Sequence, residues 1–297
     1  MEAKLNLPPL ESQGETLKRN SQFLATWKQF RRNRLAVFGL VLAVLLVLVA
    51  IFANVIAPYE PSAISTDRLA MPSVQHLCGT DNMGRDLFSR IVYGARVSLL
   101  ISLMALVIGI ILGILMGATA GYFGGWYESL IMRICDILMC IPGMLLAVCI
   151  SALLGVGVLN TAIAIAVGGM APAIRMMRAV VMQIRSQEYI EAARATGSGH
   201  IKIILHEIMP NVLSPLIVDS TMRVGGNILQ ISGLSFIGLG VQPPTAEWGS
   251  IMSAGQQYIM NFWPMITFPG IAILLTVFAF NVMGDGLRDA LDPRLKQ

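Results

Sequence analysis

The chain is 297 residues long, 55% hydrophobic and only 13% charged, with a formal net charge of +4 and a mean hydropathy of +0.70. Soluble proteins carry about 25% charged residues, so these charges are too few to cover a water-soluble globule, and the chain reads as a membrane protein. Cys78, Cys135, Cys140 and Cys149 show no CxxC spacing and support neither a zinc site nor a disulfide framework; three of them lie in apolar runs, where Cys behaves as a small hydrophobe.

Residues 1–20 are polar, contain Pro8-Pro9 and show no sustained periodicity, which predicts a poorly ordered segment. About thirty polar residues before any apolar run argue against a cleavable signal peptide, so the first helix is expected to stay as an anchor. Lys28, Arg31, Arg32 and Arg34 then precede an uncharged run over 35–57, long enough to cross a hydrocarbon core about 30 Å thick. The basic cluster assigns segment 1–34 to the cytoplasm by the positive-inside bias.

Pro58 and Pro61 end that span, and 58–96 reads as an extracytoplasmic loop in which Asp67, Arg68, Asp81, Arg85, Asp86 and Arg90 nearly cancel. A core of five further helices is expected over 97–284. The second span, 97–121, carries Gly109, Gly113 and Gly117, a four-residue ladder that either allows close helix packing or is merely tolerated. After a turn at 122–127 comes a third span, 129–154, whose Arg133 and Asp136 share one face and are expected to snorkel or pair with each other, with a role in the substrate path as the alternative. Pro142-Gly143 should kink it.

The fourth span, about 161–181, is expected to break at Gly168-Gly169 and Pro172, with Arg175, Arg178 and Arg185 marking its cytoplasmic exit. A fifth span (212–237) and a sixth (262–283) flank a second outside loop, 238–261. The tail 285–297 brings Arg288, Arg294 and Lys296 back inside. The expected fold class is all-α, an integral membrane protein of six transmembrane helices with both termini cytoplasmic.

Between the fourth and fifth spans, residues 187–211 form a polar interruption. Ile201, Ile204, Leu205 and Ile208 fall at i, i+3, i+4 and i+7, predicting one apolar face with His200, Lys202, His206 and Glu207 largely off it. Ser186 is placed to cap a preceding helix containing Glu191, Ala192 and Ala193, and Gly197 with Gly199 supplies the turn between the two. Small side chains on that helix let its backbone approach a partner closely.

Asp219 and Arg223 lie four apart on the fifth span, on one helix face. Either they neutralise each other so that the helix inserts, or they line a translocation path. His76, His200 and His206 lack i, i+4 pairing, so no metal site is expected. No catalytic set is found, and without a GxxxxGK[ST] sequence any ATP must be hydrolysed elsewhere.

Glu191-Ala192-Ala193, Gly197 and Pro210 thirteen positions later resemble the EAA loop of ABC-importer permeases, the segment that docks into the ATPase. The likeness thins at Glu207, where the pattern expects an aliphatic residue, and at Met209, where it usually has Leu. Gly79-Thr80-Asp81, Gly84-Arg85-Asp86, Ser89-Arg90 and Tyr93-Gly94-Ala95-Arg96, together with PPTAEWG at 243–249 and GDGLRDALDPRL at 284–295, resemble the second-permease type of the dipeptide, oligopeptide and nickel importer family. His76-Leu77-Cys78 stands where that family often has His-Pro-Leu.

The resemblance implies a type I ABC importer permease (MetI-like) fold in the cytoplasmic membrane and a non-catalytic subunit that binds no cofactor, ATP and Mg residing on partner ATPases. It implies as partners a sister permease in a heterodimer, two cytoplasmic ATPases, an extracytoplasmic binding protein and the lipid bilayer, with no nucleic acid. Coupling would rest on Glu191, Ala192, Ala193, Gly197 and Pro210. Asp81, Arg85, Asp86 and Arg90 read as a salt-bridged cap holding the first outer loop against the sister subunit or the binding protein, or as a plain solvated loop; Glu247 and Trp248 are assigned the same role on the second. Di- or oligopeptides are the expected cargo, with nickel or another small chelate or glutathione-like solute as the alternative. An ATP-independent transporter or channel would have no use for a docking helix.

Overall fold

The computed structural model describes Leu24 and residues 26–291. The expectations for residues 1–20, and for Arg294 and Lys296, lie outside them. Helix α1 (Arg34–Ile51) begins where Asn33 accepts the Ala36 N–H at 3.2 Å and is followed by a short turn of helix at Ala53–Ile56. Helix α2 is one 37-residue rod, Leu87–Phe123, regular over Leu87–Leu112 and loosened into a π turn at Gly113–Ala118. Then come α3 (Gly125–Met139), α4 (Gly143–Leu154), α5 (Val158–Arg185), α6 (Glu188–Ala195), α7 (His200–Phe236, with a π turn at Ile203–Ile208), α8 (Trp248–Gly255) and α9 (Pro264–Leu291).

Among the described residues five helices, α1, α2, α5, α7 and α9, are long and apolar enough to cross a membrane, and α3 with α4 makes a sixth crossing if counted as one bent span. The kink expected at Pro142-Gly143 is in fact an 87° break. Proline removes an amide donor and drives the preceding residue out of the α region, so the helix stops at Met139 and restarts at Gly143.

The fourth span does not break. Gly168, Gly169 and Pro172 all lie inside the continuous α5, because proline is tolerated within membrane helices when neighbours satisfy the freed backbone. The glycine serves packing instead: a Cβ on Gly168 would sit 2.7 Å from the Gly143 carbonyl, so its absence is what lets the start of α4 meet α5. Nor does 238–261 form a plain loop, since α8 lies within it.

Helix α5 is the innermost, with 44% of its most apolar window buried against 22% for α1. It touches α2, α3, α4 and α7. Where α2 crosses it, a Cβ on Gly121 would lie 2.7 Å from the Arg178 carbonyl, and one on Gly117 would collide with the Ile174 carbonyl. At Gly113 the same test gives ordinary contact at 3.6 Å, and at Gly109 nothing lies within 4 Å. The close approach therefore belongs to the last third of α2.

Gly117→Val is expected to wedge α2 from α5 and destabilise the protein by about 1–3 kcal/mol, the usual cost of overpacking. Gly109→Ala should cost nothing. Thermal melts of both variants in detergent test this, and equal shifts would show that the glycine contact does not hold the helices.

Candidate functional site

Helix α5 runs directly into the polar segment. Ser186 does not cap the next helix; it ends α5, turning its hydroxyl back to donate to the Gln183 carbonyl at 2.9 Å, while Gln187 takes the N-cap position without a side-chain bond. Helix α6 ends in a Schellman turn. Ser198 N–H donates to the Ala193 carbonyl at 3.1 Å and Gly197 N–H to Arg194 at 3.0 Å, with Gly197 at φ +79°. Thus Gly197 fixes the angle at which the chain returns toward the membrane. Glu191, Ala192, Gly197 and Pro210 face outward, whereas Ala193 is half-buried.

Of the apolar face expected from Ile201, Ile204, Leu205 and Ile208, only Ile204 and Ile208 pack. Ile203 and Ile208 are fully buried, together with Val212, against Tyr122, Met177, Val181 and Ile190, while Ile201 is 73% and Leu205 56% exposed. The π turn is the reason: its i→i+5 bonding brings residues five apart onto one side, whereas a uniform 3.6 period would not. The segment is also tied to the end of α2, where His200 Nδ1 lies 2.9 Å from the Tyr122 hydroxyl and the Arg194 guanidinium stands 5.1 Å from the Tyr122 ring centre.

At the opposite end of the bundle four of the charges of the 58–96 segment turn inward. Asp81 accepts Arg85 Nε at 2.6 Å and the backbone N–H groups of Met83 and Arg85, with Arg90 Nε 3.6 Å away. Asp86 caps α2 through the Ser89 N–H at 2.8 Å and holds His76 Nδ1 at 2.9 Å. Asp81, Arg85, Asp86 and Arg90 are buried within this chain, whereas Asp67 and Arg68 are exposed, as are Ile64, Val74, Leu77 and Met83. In the departing His76-Leu77-Cys78 stretch, Leu77 points out, and burial beside Asp86 pushes the Cys78 thiol up to about 11.

Asp219 and Arg223 form an ion pair on α7, and Arg223 Nη1 also donates to the Gly169 carbonyl of α5 at 3.3 Å. Asp219 stands where two cavities meet, and Arg223 lines the smaller of them. One, of about 30 Å³, lies between α2, α5 and α7 with Gly109, Gly169 and Asn227 in its wall; the other, of about 670 Å³, opens toward Gln183 and Arg288. Asp219 and Met176 line both. Arg133 and Asp136, by contrast, do not pair with each other. Because α3 lies along α5, Asp136 reaches Arg175 and Glu128 reaches Arg178. Among the described residues no cluster of His, Cys, Asp and Glu could hold a metal ion.

Glu247 and Trp248 anchor the second outer segment to α2. Trp248 Nε1 donates to the Ile91 carbonyl at 2.9 Å and its ring lies where a Cβ on Gly94 would be. Glu247, wholly buried, caps α8 through the Ser250 N–H at 2.9 Å and accepts the Ser98 hydroxyl at 3.2 Å. Burial raises its pKa above the ordinary 4.5, opposed by hydrogen bonds from Gly249, Ser250, Ser235 and Ser98. The folded chain thus keeps this proton longer than the unfolded one, so the group's contribution to stability declines as pH rises from 4.5 through the folded value and is flat beyond it. In melting series over pH, wild type is expected to lose ground to Glu247→Gln across that window only; a difference independent of pH would contradict it. Glu247→Ala, which removes the cap, should cost about 1 kcal/mol or more at every pH.

A family model described as binding-protein-dependent transport system inner membrane component matches residues 109–297, and one described as the N-terminal TM domain of oligopeptide transport permease C matches residues 21–72. The chain is 47% identical over 278 residues to the dipeptide transport system permease protein DppC of Escherichia coli (strain K12), covering 91% of this chain and 93% of that protein. It is 42% identical over 297 residues to the glutathione transport system permease protein GsiD of Escherichia coli O6:K15:H31 (strain 536 / UPEC), covering 99% and 97%. Among solved structures, one of the inward facing conformations of the MetNI methionine ABC transporter aligns with a TM-score of 0.55 at 19% identity, over 68% of this chain and 97% of that one, a likeness of fold. With a helical membrane core, a surface loop between α5 and α7 and these matches, the chain belongs to the family of binding-protein-dependent transport system inner membrane components and is the permease subunit of an ABC importer.

Proposed function

We propose that the chain forms, with a sister permease, the path across the cytoplasmic membrane for di- or oligopeptides delivered by an extracytoplasmic binding protein, and that two cytoplasmic ATPases drive it through residues 187–211. The observation that carries the reading is the geometry of that segment: α6 presents Glu191 and Ala192 outward, and the Schellman turn at Gly197 joins it to a second element whose Ile201 and Leu205 are open. Apolar side chains left open beside small ones suit a protein groove. On this reading the end carrying Arg185, Arg194 and Lys202 is cytoplasmic, as the positive-inside bias requires, and both termini lie on that side.

The cargo follows from the relatives' names, DppC for dipeptides and GsiD for glutathione. Glutathione is itself a small peptide, so one chemistry, a short chain with charged ends, covers both. Asp219 and Arg223, at the meeting of the two cavities, are the path residues of this proposal. In the outer loops, Asp81, Arg85, Asp86, Arg90, Glu247 and Trp248 would act by holding the docking surface in shape for the binding protein.

Coupling runs through stiff elements. Closure of the ATPases displaces α6, and because α6 connects α5 to α7 by short turns, both long helices tilt with it, switching the cavity between two arrangements.

Gly197→Val places a β-branched residue at positive φ, which costs roughly 1–2 kcal/mol or more even though nothing lies within 4 Å of the new Cβ. The turn is expected to rearrange, uptake to fall by about tenfold or more, and ATP hydrolysis to persist without transport. Gly197→Asn, whose side chain tolerates that backbone, should keep most of the activity. Uptake and ATPase rates are compared in complexes shown to be assembled by co-purification. Wild-type uptake by an assembled Gly197→Val complex would sink the proposal.

A further inference from the structure

We propose that the Asp219–Arg223 pair is a binding station for the charged ends of a short peptide: the Arg223 guanidinium takes the terminal carboxylate and the Asp219 carboxylate takes the terminal ammonium. The proposal rests on the reading of this chain as a peptide path and adds to it the chemistry by which cargo is held there.

Four observations support it. First, the pair is not closed: the Asp219 and Arg223 side chains are 31% and 25% exposed. Arg223 has five N–H donors and uses two positions, Nε toward Asp219 and Nη1 toward Gly169; Asp219 engages Arg223 through one oxygen. Spare donors and acceptors therefore stand side by side. A pair serving only to neutralise charge for insertion gains nothing from that unspent capacity.

Second, the surroundings leave room. A Cβ on Gly109 would have nothing within 4 Å, and one on Gly169 would have only Arg223 Nη1, at 3.9 Å. Asp219 lines both the 670 Å³ cavity and the 30 Å³ one, and Arg223 lines the smaller beside it. Cargo would reach the pair from the larger space.

Third, the two groups can take both ends of one short peptide. They touch across one turn of α7, and two extended residues span about 7 Å between ends, so a dipeptide engages both by parting the pair. A longer peptide would engage one charge at a time.

Fourth, the walls beside the pair carry Met176, Met177 and Met222. Methionine is unbranched and polarisable and adapts to differently shaped neighbours. A transporter of varied peptides needs that division of labour: fixed charges for the ends that all peptides share, and a pliable wall for side chains that differ.

The test uses the complete importer, both permeases with both ATPases, reconstituted in lipid nanodiscs without the binding protein, so that the binding protein's own selectivity is absent. Saturable binding of alanyl-alanine is compared with binding of its N-acetyl and C-amide derivatives. In wild type, either block should weaken binding about tenfold or more. Arg223→Met is expected to become indifferent to amidation while still rejecting the acetylated peptide; Asp219→Asn should show the converse. Assembly is checked by co-elution of all subunits. Where Arg223→Met does not assemble, Arg223→Lys replaces it, keeping the charge but losing the planar fork, and should discriminate against the amide several-fold less than wild type.

Absence of saturable alanyl-alanine binding by the wild-type complex, or variants that still reject both blocked peptides as wild type does, overturns the assignment. Transport with the binding protein restored is measured in parallel. If wild type carries no peptide at all, the peptide-path reading fails; if peptide is carried but crossed discrimination is missing, only the Asp219–Arg223 station fails.

Discussion

The structure depends on how closely helices approach α5. Within lipid, water does not drive apolar helices together, and association rests on packing and interhelical hydrogen bonds. Backbone-to-backbone contact through glycine is therefore the means by which α5 collects its neighbours. Gly117 and Gly121 bring α2 against it, and Gly143 with Gly168 brings α4. Polar links complete the set: Glu128 and Asp136 of α3 reach Arg178 and Arg175, and Arg223 of α7 reaches the Gly169 carbonyl. Each of α5's partners is thus held by a contact that a larger side chain or an altered charge would remove.

The two ends of the bundle are built on opposite plans. At the end that carries residues 58–96 and 238–261, Asp81, Asp86 and Glu247 are buried and each satisfies at least one backbone N–H, so both connecting segments are locked onto the start of α2. Removing one partner from such a buried set is costly, because the remaining charge stays stranded. At the other end, the segment between α5 and α7 leaves most of its side chains open and is held by one buried isoleucine on α6, the Ile203–Ile208 face and the Tyr122–His200 contact. One firm end and a lightly held connection at the other are what a lever requires.

Much of this was legible in the residues and some was not, for identifiable reasons. Long uncharged runs fix helix positions almost regardless of tertiary detail, since the bilayer leaves the backbone few options; the small-residue helix and Gly197 turn likewise carry local signals that the geometry bears out. What local patterns do not encode is competition between neighbours. Pro172 looks like a breaker until the continuous α5 is seen, and Arg133 looks like the partner of Asp136 until α3 is laid along Arg175. The π turn at Ile203–Ile208 is the clearest case: a helical period read through it places Ile201 and Leu205 in the core, and the added residue per turn rotates them into the open. The charge spacing of Asp81, Arg85, Asp86 and Arg90 suggests a salt-bridged cap, and Asp81 does pair with Arg85; how deeply the set is buried depends on which backbone amides fold over it, which spacing does not encode.

The same geometry links the two ends of the proposed mechanism. Residues 186–199 join α5 to α7, and farther along those two helices the Gly169 carbonyl and the Arg223 guanidinium bridge them directly. A displacement of α6 that changes the separation of α5 and α7 must therefore lengthen or shorten that bridge. Binding free energies are reciprocal: if ATPase docking alters the bridge, any ligand that competes for Arg223 alters ATPase docking by the same factor. Cargo drawing Arg223 away from Gly169 would remove that polar link, and the lightly held connecting segment would take up the motion. Coupling then runs through two rigid helices joined at one end by the docking segment and along their length by apolar packing together with the Arg223–Gly169 link.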